Sequence, residues 1–262
     1  MRLVGQEIAV WFSCGAASAI AARLAVMNYG EHNNVRVLNN PVAEEDADNR
    51  RFLADVEAWI GRQVETVTHP DFPAASAVEV WDARKAMSFP HGAPCTLKLK
   101  KEARQIWEKN NPVDWHVLGF TADEKARHDR FVLTERSNVI PVLINSGVTK
   151  AHCYQMLKNA GIEPPRVYAL GYPNANCLGC VKATSPTYWN HVRKVHPEVF
   201  AARAEQSRRL GVRLARYKGD RVFLDELPAN AQGRSMKGLD FECGLFCEER
   251  PTTQGEKTND PH

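Results

Sequence analysis

Short apolar runs alternate with amphipathic stretches over the first 150 residues. "QEIAVWF" (6–12) is β-rich and leads through a loop of small residues into "SAIAARLAVMNYG", where Ile20, Leu24 and Met27 recur at helical spacing and Gly30 stops the helix. "VRVLNN" (35–40) predicts a second strand, and 46–61 a helix with Phe52, Val56 and Trp59 on one face. Further strands are expected at 64–69, 116–120 and 139–144, the last ending near a turn at Asn145, Ser146 and Gly147. Strands that alternate with helices predict an α/β fold: a three-layer, doubly wound, mostly parallel sheet.

Beyond this the pattern changes. Thr149 starts a capped helix that Gly161 ends, with Cys153, Met156 and Leu157 forming an apolar stripe, and Pro164 and Pro165 forbid its resumption. Residues 186–210 read as two helical pieces split at Pro197, with Tyr188 and Trp189 as core positions. "VRLARY" and "RVFLDEL" then predict a hairpin across Lys218, Gly219 and Asp220. The expected organisation is a nucleotide-binding α/β domain over 1–183, a small helical and hairpin appendage over 184–250, and a disordered polar tail over 251–262.

Composition narrows the class. The 262 residues are 44% hydrophobic and 25% charged, enough for a sizeable core, and the net charge of +3 does not suggest a protein that coats polyanions. A local basic pocket for a phosphorylated small molecule stays open. The run Ile8–Ala22 is broken by Ser13, Gly15 and Ser18, too polar for a membrane span or signal core, so a cytoplasmic protein with no membrane partner is expected. Seven cysteines, an odd number spread along a long chain, argue for metal or catalytic use over a disulfide framework.

Two features carry candidate chemistry. Ser13, Gly15 and Ser18 sit between a predicted strand and a predicted helix, where N–H groups and hydroxyls can hold a phosphate. Their spacing fits neither GxxxxGKS nor GxGxxG, and small residues there also serve close strand-to-helix packing. Cys177-x-x-Cys180 is half of a site, compatible with zinc, iron-sulfur or dithiol chemistry, and no second CxxC stands nearby. His191 and His196 read as part of an exposed basic helix. Glu44, Glu45, Asp46 and Asp48 follow the second strand and read as a solvated acidic helix start.

The loop "SCGAAS" resembles the "SGGxDS" loop of the adenine nucleotide alpha-hydrolase-like superfamily, with Cys14 at the first glycine and Ala17 at the acidic position. The order of this loop, Cys95 followed by "TLKLK", "GY…CxxC" and "ECGL" is similar to that of the phosphoadenosine phosphosulfate (PAPS) reductase family. That resemblance implies an adenine nucleotide substrate and a [4Fe-4S] cluster, with zinc as the alternative, on Cys95, Cys177, Cys180 and Cys247. It implies Cys243 as the nucleophile that takes the sulfonyl group and releases sulfite, with thioredoxin or glutaredoxin as electron donor. "LGFTADEKARHDRF" (118–131) resembles the family's phosphate-lining segment, keeping Gly119, Glu124 and Arg127 but placing Thr121 at an arginine position. Lys98 and Lys182 are further candidates for the phosphate or sulfate. Pro94 in place of a vicinal cysteine and Thr121 depart from the family and keep two alternatives open, although Ala17 speaks against the ATP-cleaving one. One is an ATP-dependent sulfur-transfer enzyme acting on nucleic acid or another acceptor; the other is a nucleotide-binding zinc or redox sensor. A homo-oligomer is compatible with either.

Overall fold

The computed structural model describes residues 3–89 and 92–236. Five parallel strands, β1 (Glu7–Trp11), β2 (Asn34–Asn39), β3 (Val64–Thr66), β4 (Trp115–Val117) and β5 (Val139–Ile140), form a sheet in the order β3-β2-β1-β4-β5. Val10 stands at its centre, in register with Val37 on one side and Val117 on the other. Alternation along β1 assigns the two faces. Ile8 and Val10 pack with α1 (Ala16–Tyr29), α2 (Asp48–Ile60), α6 (Val142–Asn145) and α7 (Lys150–Asn159). Ala9 and Trp11 face α4 (Ala103–Asn110) and α5 (Lys125–Thr134) through Ala103, Trp107 and Phe131. The result is the expected three-layer α/β fold.

Two expectations about elements change. The fifth strand stops at Ile140 rather than 144, because Pro141 has no N–H for the ladder; Val142 and Leu143 then bury as a helical turn. In α1 the buried side is not an Ile20–Leu24–Met27 stripe. Ile20 is buried, Leu24 is half-buried and Met27 is 61% exposed, while Ala16, Ala19, Ala21, Ala22 and Ala25 face the core. Alanine lets α1 lie close to the sheet and to α6 and α7, so small size outweighs hydrophobic bulk in selecting the face.

A second core is built from α3 (Ala77–Arg84), α8 (Arg166–Ala169) and the chain from it to 183, α9 (Pro186–Val195), α10 (Pro197–Arg209) and the chain as far as Ala231. Trp81, Tyr188 and Trp189 are its largest buried side chains, and the cluster runs across position 183 without a break. β6 (Ala215–Tyr217) and β7 (Asp220–Val222) form the expected hairpin. Lys218 and Gly219 turn it with φ of +50° and +94°, the left-handed backbone that a tight two-residue turn requires. No helix among the described residues is long and apolar enough to cross a membrane. The expected tail at 251–262 lies outside the described residues, as do Cys243 and Cys247.

Candidate nucleotide and thiol site

The loop between β1 and α1 opens at the switch point of the sheet, where β1 has β2 on one side and β4 on the other. The Ser18 hydroxyl organises it, accepting from the Ser13 N–H (3.2 Å) and the Gly15 N–H (3.3 Å), lying 3.2 Å from the Ser13 hydroxyl and donating to the Gly15 carbonyl (3.0 Å). Gly15 is the N-cap of a 14-residue helix, so unpaired N–H groups and the helix dipole favour an anion there. Gly119, two residues beyond β4, lies directly against this turn. A Cβ on it would stand 2.9 Å from the Ser18 nitrogen and 3.1 Å from the Ser18 Cα, so only glycine lets β4 approach. Cys14 occupies left-handed backbone (φ +54°) and is buried; burial pushes its thiol up to about 12.

From this loop a line of buried polar contacts crosses the ends of the strands. Asn39 Nδ2 donates to the Phe12 carbonyl (2.7 Å), and Lys100 Nζ donates to the carbonyl of the next residue, Asn40, and to Glu45 Oε1 (3.3 Å). Lys100 is 6% exposed. Burial raises the Glu45 carboxyl, against the pull of the Lys100 charge. Glu44 caps α3, accepting from the Ser76 hydroxyl (2.9 Å) and the Ala77 and Val78 N–H groups (2.8 and 3.2 Å), while its own carbonyl accepts from Leu178 N–H (2.9 Å). The acidic stretch after β2 is therefore no solvated turn. Glu44 and Glu45 anchor other elements, and Asp46, buried, binds Arg166 at 2.8 Å.

That last backbone bond hangs the Cys177–Cys180 turn on the end of β2. Gly179 makes the turn at φ +66°, and a Cβ there would strike Val199 Cγ1 at 2.9 Å. The Cys180 N–H donates to Tyr188 Oη (2.8 Å) on α9. Cys95 stands at the start of a π-helical segment, Thr96–Glu102, that runs into α4; such wide turns recur at functional sites. The three cysteines share the second core, and two buried side chains tie them together. Arg203, stacked 4.6 Å from the Trp81 ring centre, feels the charges of Glu44, Cys177 and Cys95, and Tyr188 feels those of Cys180 and Cys177. A buried guanidinium favours thiolates. None of these cysteines is in a disulfide, and three soft donors beside a cation suit an iron-sulfur cluster. Among the described residues no three His, Cys, Asp or Glu side chains form a ready metal-ligand group. Cys153 is separate, fully buried in the first core, as its stripe predicts.

The remaining candidates are held by protein groups. Thr121 is buried and caps the next turn, its N–H and hydroxyl both donating to Glu124 (3.1 and 3.0 Å). Arg127 pairs with Glu124 at 2.8 Å and lies over the Phe120 ring. Lys98 pairs with Glu102 at 2.6 Å, and Lys182 is half-buried two residues after Cys180. His191 and His196 are not exposed basic positions: both Nε2 atoms are buried. Lys100 is legible only as one of several lysines beside the cysteines, with Lys98, Lys101 and Lys182, while Arg203, Tyr188 and Asn39 are not legible as site residues. One lysine among the three of "KLKK" gives no sign of which one turns inward, and an arginine mid-helix reads as solvated.

No protein-family model and no curated protein matches this chain. Among solved structures it is similar to the U34-tRNA thiolase NcsA from Methanococcus maripaludis with its [4Fe-4S] cluster, at 10% identity over 95% of this chain and 85% of that one, with a TM-score of 0.47.

Proposed function

We propose that this protein is an adenine-nucleotide-dependent sulfur-transfer enzyme. The observation that carries the reading is the continuous contact line from the β1 loop through Asn39, Asn40, Lys100, Glu45 and Glu44 to the Cys177–Cys180 turn. It ties the β1 loop to the Cys177–Cys180 turn, which shares the second core with Cys95. In this reading Ser13, Gly15 and Ser18 hold the nucleotide phosphates, Gly119 admits them to the switch point, and Lys100 keeps the floor of the site positive. An acceptor oxygen attacks the α-phosphorus, pyrophosphate leaves, and sulfur then displaces AMP from the activated acceptor. Cys95, Cys177 and Cys180 would hold a [4Fe-4S] cluster with one iron left without a protein ligand, which would supply a site for sulfide; ligation by Cys247 would close that site.

Thr121 favours this reading over sulfonucleotide reduction. The position at which the family resemblance expects an arginine is buried and committed to a cap with Glu124, and Arg127 is paired with the same carboxylate. Exchange of labelled pyrophosphate into ATP, run with anaerobically purified protein assayed for iron, sulfide and zinc, tests the proposal. Exchange that is lost in Ser18→Ala, in a brown protein containing iron and sulfide, is expected. Sulfite release from PAPS with thioredoxin or glutaredoxin, abolished by Cys243→Ser, would instead restore the reductase reading; a colourless zinc protein would remove the cluster.

A further inference from the structure

Next to the thiol turn lies a second group of donors that the proposed function does not use. Three buried polar atoms around one aromatic ring have no hydrogen-bond partner: Tyr172 Oη, His191 Nε2 and His196 Nε2. Both imidazoles touch the Tyr172 ring, with centroids at 4.8 Å for His191 and 5.8 Å for His196. Leaving three such atoms unpaired inside a protein is costly, so the arrangement calls for something that binds them. The opposite ring nitrogens are already engaged. The His191 ring bonds the Leu170 carbonyl, which with Nε2 unpartnered falls to Nδ1, and His196 Nδ1 faces Glu198 Oε1 at 3.5 Å. A carbonyl on one Nδ1 and a carboxylate on the other hold the N–H on that side and leave the lone pair on each buried Nε2. Protein ligands to zinc are supported in this way. Gly171, at φ +86°, lets the His191 ring lie close against the backbone, since a Cβ there would stand 3.2 Å from His191 Cε1 and 3.6 Å from its Nε2.

We propose that His191 Nε2, His196 Nε2 and Tyr172 Oη bind one divalent transition-metal ion of the zinc type, separate from the cysteine set. The ion links the segment leading to Cys177 with the junction of α9 and α10, two elements that Tyr188 already joins through Cys180. Its role is structural, and it does not depend on the reaction the protein performs.

The test is cobalt(II) and zinc(II) titration of the full chain carrying Cys95→Ser, Cys177→Ser and Cys180→Ser, with folding followed by circular dichroism. One cobalt per chain is expected, with visible ligand-field bands and no sulfur-to-metal charge transfer, and zinc should raise the melting temperature. His191→Gln and His196→Gln should each weaken binding at least about tenfold. Tyr172→Phe, which keeps the ring packing, should stay folded and alter the cobalt spectrum. Absence of stoichiometric binding would overturn the proposal and leave the three atoms to a buried water. So would unchanged binding in both histidine variants, or an unchanged spectrum and affinity in folded Tyr172→Phe.

Discussion

Replacing Gly119 with alanine drives a methyl group into the backbone of Ser18, which cannot yield without moving the N-terminus of α1. The expected cost is about 1–3 kcal/mol of stability, with nucleotide affinity falling more than the melting temperature suggests. Denaturant unfolding beside a nucleotide titration reads both. Ser18→Ala differs, because it removes the acceptor for two loop N–H groups while leaving the packing intact. It should weaken nucleotide binding about tenfold with little change in melting, seen by calorimetry. Thiol reactivity separates the cysteines as well. Burial holds Cys14 and Cys153 near about 12, so both remain protonated at pH 8, and neither is accessible. Among the five described cysteines, iodoacetamide on metal-free protein should label the half-buried Cys95 and Cys177 first, as resolved by peptide mass spectrometry.

The π-helical segment after Cys95 turns Lys100 inward, where it pairs with Glu45 in a largely buried contact. Lys100→Met leaves a buried carboxylate without its cation, which costs about 3–5 kcal/mol. The sign of the pH effect follows from Glu45, whose folded-state carboxyl is already raised by burial and rises further once the lysine is gone. Stability is then retained where the carboxyl is protonated and lost as pH rises through its folded value. The variant should therefore melt closer to wild type at pH 5 than at pH 8, and Glu45→Gln in the same chain should recover much of the loss. At this level the sequence is most legible where a pattern has one physical meaning. The β1–loop–α1 unit, the Thr149 cap and the Lys218–Gly219 hairpin are of that kind. It misleads where size replaces hydrophobicity, as on α1, or where one proline redirects the chain, as at Pro141. The inward turn of Lys100 and the capping role of Glu44 depend on elements distant in sequence, so no local pattern carries them.

Among the described residues, two of the three hydrophobic clusters divide the functional work. The first supports the sheet and the anion loop; the second holds all three described site thiols together with α9 and α10. A fragment ending at residue 183 would strip Cys180, Val181 and Ala183 of the Tyr188, Trp189 and Val192 side chains they pack with. It should bind a hydrophobic dye and aggregate rather than fold as a trimmed nucleotide-binding domain, as size-exclusion chromatography would report. The bond between Leu178 N–H and the Glu44 carbonyl, described above as the hook that hangs the cysteine turn on β2, also bears on the order of biosynthesis. During translation the strands of the sheet are complete once residue 140 has emerged, yet Cys95 then waits for more than half of the second core. Cys177 and Cys180 reach it only when α9 and α10 close over them. The thiol set is thus assembled late in folding, and an inorganic cofactor that needs all three described thiols can be loaded only once α9 and α10 have been made.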